Sequence, residues 1–140
     1  MTHPVRFPYS DSDPAHPGAS QLPYVPLTLT NGQTMVACSG LLDTGATINV
    51  LPYPIGVQLG LIWAQQTTPL QLTGNLAQAP ARAVVVSATI SAMTPVRLAF
   101  AWTQLTTVPV ILGQVNFFLE VDVCFFRTQS AFEIQPKQNP

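Results

Sequence analysis

The chain has 140 residues, 47% of them hydrophobic and only 8% charged, with a formal net charge of -1. That length suits one domain, and so low a charge density leaves apolar surface for a partner to cover. The five basic residues, Arg6, Arg82, Arg97, Arg127 and Lys137, are scattered, so no phosphate-tracking patch and no nucleic-acid partner are expected.

Residues 1–22 hold Pro4, Pro8, Pro14 and Pro17 among polar residues and read as a flexible, Pro-rich arm without periodic structure. Both histidines, His3 and His16, lie in this arm, which takes the usual base for a serine or cysteine nucleophile out of the folded region. The N-terminus lacks the apolar core of a signal peptide. The longest apolar run, residues 83–96, is interrupted by Ser87, Ser91 and Pro95 and falls short of the roughly 20 residues that span a bilayer. A cytoplasmic location without a membrane span is the expectation.

From Val25 the pattern alternates: Val25, Leu27 and Leu29 on one face, Thr28 and Thr30 on the other, with Asn31-Gly32 as a hairpin turn. The returning strand, residues 33–42, delivers Asp43 to a turn. Strand character resumes at Ile48-Asn49-Val50-Leu51 until Pro52 and Pro54 stop it, and residues 55–60 read as a helical turn ended by Gly60. Trp63 reads as a core or interface residue. Residues 70–80 are rich in turn formers, and residues 83–90 and 96–102 read as strands, the first buried on both faces and the second alternating. Val108 to Leu112 is an apolar strand leading into Gly113, residues 114–120 hold a short helical segment, and residues 122–126 and 131–135 form a terminal hairpin whose Phe125, Phe126 and Phe132 suggest burial. Cys38 and Cys124 have neither CxxC spacing nor a nearby histidine, so they read as free thiols buried in strands, with no metal and no cofactor expected.

Asp43 stands apart within this pattern. Of the six acidic residues, Asp11 and Asp13 lie in the arm and Glu120, Asp122 and Glu133 near the C-terminus, so Asp43 is the single carboxylate between residues 14 and 119. It follows the apolar pair Leu41-Leu42, where a carboxylate must be hydrogen-bonded or shared with a second acid. A second copy of the chain is the natural source of that acid.

Asp43-Thr44-Gly45-Ala46, after Leu41-Leu42 and followed later by Val110-Ile111-Leu112-Gly113, resembles the retropepsin-like aspartic proteases over roughly residues 23–127. The resemblance implies an all-β acid-protease barrel with one short helix, assembled as a homodimer from residues 23–135, with a tail at 136–140. It implies an aspartic endopeptidase acting on polypeptide, with Asp43 of two chains as the catalytic dyad. Thr44, Gly45 and Ala46 would support the catalytic loop, and Ile111, Leu112 and Gly113 would pack behind it. A flap hairpin near residues 70–80, with Leu72, Thr73, Gly74, Asn75 and Leu76, would close over the substrate. Where retroviral members carry an Asp–Arg pair, this chain has Thr47 and Gln114, a neutral couple that can still hydrogen-bond, which argues for a non-viral branch. The alternatives are a catalytically silent dimerisation or peptide-binding module of the same fold, and a plain β-barrel in which Asp43-Thr44-Gly45 is an Asx-type turn.

Overall fold

The alternating segment around Asn31-Gly32 makes the first long hairpin of a computed structural model that describes residues 3–11 and 21–138. Among the described residues three short strands come before it: β1 (Val5–Pro8), β2 (Ser10–Asp11) and β3 (Gln21–Leu22). The hairpin is β4 (Tyr24–Asn31) and β5 (Thr34–Leu42), in antiparallel register from Tyr24 opposite Leu41 to Asn31 opposite Thr34. Gly32 takes the φ of +60° that the tight turn demands. Val25, Leu27 and Leu29 are buried while Thr28 and Thr30 are half-exposed, so the period of two is realised on a single inner face.

The chain continues through β6 (Asn49–Leu51) into α1 (Tyr53–Gln58), which begins two residues before the expected helical turn because Pro54 is accommodated in its first turn. After β7 (Pro69–Leu70) come β8 (Ala81–Thr89), β9 (Val96–Thr103) and β10 (Val110–Leu112). A second short helix, α2 (Phe117–Glu120), precedes the terminal hairpin of β11 (Val121–Phe126) and β12 (Ala131–Pro136). The described residues therefore hold two short α-helices, at the two segments whose residue pattern reads as helical, where the family resemblance implies one; in the second, Leu119 N–H donates to Asn116 O.

The large sheet runs β4-β5-β10-β6-β9-β8-β7, and β8 also pairs with β4, which closes six strands into a barrel. Most neighbours are antiparallel, but β10 lies parallel to β5 and β6 parallel to β9. Burial on β8 and β9 reverses the expectation. β8 alternates, with Val84, Val86 and Ala88 buried and Val85 exposed, whereas β9 is buried on both faces from Phe100 to Thr103. The cause is packing: Phe100 and Trp102 face the barrel core, and Ala101 faces a second apolar cluster with Val50, Leu72 and Ala81. Helix α1 seats on Trp102, whose ring stacks on Tyr53 at 5.5 Å and meets Trp63 edge-on at 5.3 Å, so Trp63 belongs to the packed framework.

The arm is not free of regular structure. β1 pairs antiparallel with β12, Val5 opposite Ile134 and Pro8 opposite Ala131, giving a three-stranded sheet in the order β1-β12-β11. Tyr9 is buried against Phe132, Arg6 pairs with Glu133 at 2.9 Å and also reaches Gln129, and its guanidinium lies over the Phe126 ring. Phe132 is fully buried while Phe125 stays 37% exposed. His3 is exposed, and His16, Asp13, Pro14 and Pro17 lie outside the described residues. Both cysteines are free; Cys38 is half-buried and Cys124 is exposed, because it sits on the outward side of β11, so only the first approaches the expected burial. No described helix is long and apolar enough to cross a membrane.

Candidate active site

Asp43 stands where two parallel strands end together. β10 keeps β5 in register from Val110 opposite Gly40 to Leu112 opposite Leu42, and the next backbone N–H along, that of Asp43, donates to Leu112 O at 3.0 Å. The chain then turns at once. Ala46 N–H donates to Asp43 O at 3.1 Å, and Gly45 N–H donates to Asp43 Oδ1 at 2.9 Å, an Asx-type bond that orients the carboxylate from within its own turn. Within one chain Asp43 is half-buried rather than enclosed, and Thr44, Gly45 and Thr47 are exposed. The apolar setting expected for the carboxylate is thus incomplete in a single copy, because the turn carries it out of the barrel wall.

Gly113 is what lets the segment after β10 lie under this turn. A Cβ there would come within 2.8 Å of the carbonyl oxygens of both Ala46 and Ile48. The contact is sealed by backbone bonds from Gln114 N–H to Ala46 O at 2.9 Å and from Val115 N–H to Thr47 O at 2.8 Å. The Gln114 side chain does not meet the Thr47 side chain as the expected neutral couple. Its amide donates instead to Thr44 O at 2.9 Å, since the close approach at Gly113 brings Gln114 alongside the first residues of the turn.

A cavity of about 310 Å³ opens beside Asp43. Gly45, Ala46 and Thr47 form one wall, Ile48, Val50 and Ile111 the floor, and Gln71, Leu72, Thr73 and Leu76 the opposite side. Asp43 is the single charged residue in that lining. Of the residues expected to form a flap, Leu72, Thr73 and Leu76 reach the cavity. Asn75 borders a separate depression with Gln78, Pro80 and Gln104, and Gly74, at φ +62°, opens a 3-10 turn that has nothing within 4 Å of its absent Cβ. Residues 70–80 do not form the expected hairpin: β7 and β8 pair only through Pro69 opposite Arg82 and Leu70 opposite Ala81, and residues 71–80 are a loop. Pro80 and the 3-10 turn leave no run of extended backbone there to pair. Leu112 is fully buried behind the site, packed so closely on Gly40 that a Cβ there would come within 2.7 Å of it.

Three polar residues near the site escaped the sequence reading. Gln71 Nε2 donates to Ala77 O at 2.8 Å and to Leu72 O at 3.2 Å, which ties the loop across its own base. Asn49, fully buried, accepts the Gly113 N–H at 2.8 Å, and Asn116 lies beside it. An amide inside the apolar run Ile48-Asn49-Val50-Leu51 was the available signal for Asn49. Among the described residues no group of three or more His, Cys, Asp or Glu side chains could hold a metal ion.

No family model and no curated protein matches the sequence. Among solved structures, a retropepsin-like aspartic protease from Rickettsia conorii aligns with a TM-score of 0.64 at 13% identity, over 96% of this chain and 93% of that one. EIAV protease in complex with the inhibitor HBY-793 aligns with a TM-score of 0.48 at 17% identity, over 69% of this chain and 86% of that one.

Proposed function

From the retropepsin-like fold of this chain, we propose that it is an aspartic endopeptidase whose catalytic dyad is Asp43 from two identical copies. The observation that carries the reading is the placement of Asp43. It is oriented by Gly45 N–H and lines a cavity of about 310 Å³ whose lining holds no other ionisable group. A lone carboxyl cannot be ionised and protonated at once, so a simultaneous acid and base need a second one, which none of the other residues lining the cavity supplies and which the reading takes from a second copy.

Two carboxylates brought within about 4 Å repel by several kcal/mol at an effective dielectric near 20, so the pair retains one proton. The ionised member takes a proton from a water held between them, and the protonated member donates to the peptide carbonyl, so the water oxygen adds to the carbonyl carbon. Collapse of the tetrahedral intermediate transfers a proton to the departing amine and cleaves the C–N bond. Acid–base assistance of this kind is worth on the order of 10²–10⁴ per group, and the proton belongs to the pair rather than to one chain.

Exposed Thr44 and Thr47, with Val115 at 51% exposure bonded to Thr47 O, supply a small-residue and apolar rim at the turn for the second copy. The loop 71–80 would lie over an extended peptide, with Leu72 and Leu76 against its side chains.

The test is cleavage of denatured casein at pH 4–6 by the wild-type chain and by Asp43→Asn, with a statine inhibitor, across a protein dilution series. Expected are cleavage by the wild type alone, inhibition by the statine, and specific activity that falls as dimers dissociate. Constant turnover per chain through a demonstrated dimer-to-monomer transition would remove the shared dyad, and peptide binding without cleavage would indicate a silent module.

A further inference from the structure

Asn49 is 0% exposed on a three-residue strand whose other members, Val50 and Leu51, are apolar. An amide so placed costs stability unless its donors and acceptor are all used. They are. Its Oδ1 accepts Gly113 N–H at 2.8 Å, and its Nδ2 donates to Ala99 O at 2.9 Å and to Asn116 Oδ1 at 3.1 Å. Asn116 Oδ1 also accepts Ala99 N–H at 3.1 Å, while Asn116 Nδ2 donates to Arg97 O at 2.9 Å.

The two side chains take over from the backbone. The parallel ladder between β6 and β9 begins at Asn49 opposite Phe100, which leaves the preceding residues of β9 without a strand on that side. Asn49 and Asn116 satisfy Arg97 O, Ala99 N–H and Ala99 O there and anchor Gly113 in the same stroke. Gly113 lies between the two residues that hold the catalytic turn: Leu112, whose carbonyl takes the Asp43 N–H, and Gln114, whose side chain takes the Thr44 carbonyl.

We propose that Asn49, fully buried, and Asn116, partly buried, are positioning residues, an amide pair that fixes Gly113 against β9 and thereby sets where Asp43 is presented to the cavity. The catalytic consequence rests on the endopeptidase reading; the positioning itself does not. Both members are uncharged amides, so the fastening holds from neutral pH into the acid range in which a carboxylate dyad works. A misplacement of about 1 Å at a reacting group can cost roughly 10²-fold in rate, which is the scale on which such a pair acts.

The experiment compares wild type, Asn116→Ala and Asn116→Asp by peptide turnover and by amide hydrogen exchange. Asn116→Ala removes the Oδ1 that accepts from both Asn49 Nδ2 and Ala99 N–H and leaves those two donors without it; Asn116→Asp keeps an acceptor oxygen for them and lacks only the donor to Arg97 O. For Asn116→Ala the expected result is kcat lower by about 10–100-fold with KM changed less than about 3-fold. Exchange at the Asp43 and Gly113 amides should be about 10-fold faster or more, with Val84 and Val86 on β8 unchanged. Asn116→Asp should recover most of both. If Asn116→Ala does not fold, Asn116→Ser is read in the same way. Wild-type exchange at Asp43 in the folded variant, or acceleration equal to that on β8, overturns the proposal. Absence of turnover in the wild type counts against the endopeptidase reading and leaves the exchange comparison to decide on the amide pair.

Discussion

The side-chain amide of Gln114 donates to the backbone carbonyl of Thr44 at 2.9 Å, a bond that joins the segment after β10 to the turn after β5. Gln114 is exposed, so water can solvate the freed carbonyl in Gln114→Ala, and the expected loss is about 0.5–1.5 kcal/mol in urea unfolding. Gln114→Glu adds a pH dependence. The protonated carboxyl can donate to Thr44 O and the ionised one cannot, so folding raises the pKa of the introduced group above its ordinary value of about 4.3. The bond's contribution is then present below that value and lost as pH rises through the folded one. Stability of Gln114→Glu should match wild type near pH 4 and fall below it by pH 7, as a pH series of urea midpoints would read.

Gly113→Ala should be the most damaging small substitution near the site. Its Cβ would meet two backbone oxygens at 2.8 Å, and neither can move without shifting Asp43 or β6. Overpacking of this kind costs about 1–3 kcal/mol, and activity should fall further than stability because the strain is placed under the turn. Gly56→Ala, which would drive a methyl into the indole of Trp102, should cost a similar amount in thermal unfolding with a smaller effect on turnover.

Burial pushes the Cys38 thiol up from 9.0 to about 11. The unfolded thiol ionises near 9 while the folded one stays protonated, so stability declines as pH rises from about 9 to 11 and the decline then ends. In Cys38→Ala that part of the alkaline loss should be missing from a pH series of urea midpoints. At pH 8 iodoacetamide should alkylate exposed Cys124 about 10-fold faster than Cys38 or more, as peptide mass mapping would resolve.

In the arm, apolar packing should outweigh charge. Tyr9 is 8% exposed with its ring 6.2 Å from that of Phe132, and Tyr9→Ala should cost on the order of 3 kcal/mol. The Arg6–Glu133 pair is largely solvated, so Glu133→Gln should change stability by less than about 1 kcal/mol. Chemical unfolding of the two variants side by side checks the ranking.

What was legible in the sequence is what is local. Asn31-Gly32 announces its hairpin because few residues accept φ near +60°, and the close approach at Gly113, where a side chain has nowhere to go, followed from the family resemblance of Val110-Ile111-Leu112-Gly113. The partner of β1 was illegible: Arg6 and Glu133 are 127 residues apart, and a proline-rich composition looks the same whether or not a sheet edge receives it. Gln114 was placed near the turn but on the wrong acceptor, since residue type states that an amide can donate and not which carbonyl the fold brings to it. Burial on β8 and β9 was inverted because both are rich in apolar residues, and only the fold's second apolar cluster, on which Ala101 packs while Phe100 and Trp102 face the barrel core, settles which is covered twice.

The pairing of β1 with β12 also has a consequence in time. The strand synthesised near residue 5 gains its hydrogen-bonding neighbour only once residues 131–134 have left the ribosome, so until then it is an unpaired strand that other polypeptides can add to. Short β1, with Pro8 at its end and Arg6 at its centre, makes a poor template for that misassociation. The small sheet thus forms late in biogenesis, completed only once residues 131–134 have come to lie beside residues 5–8.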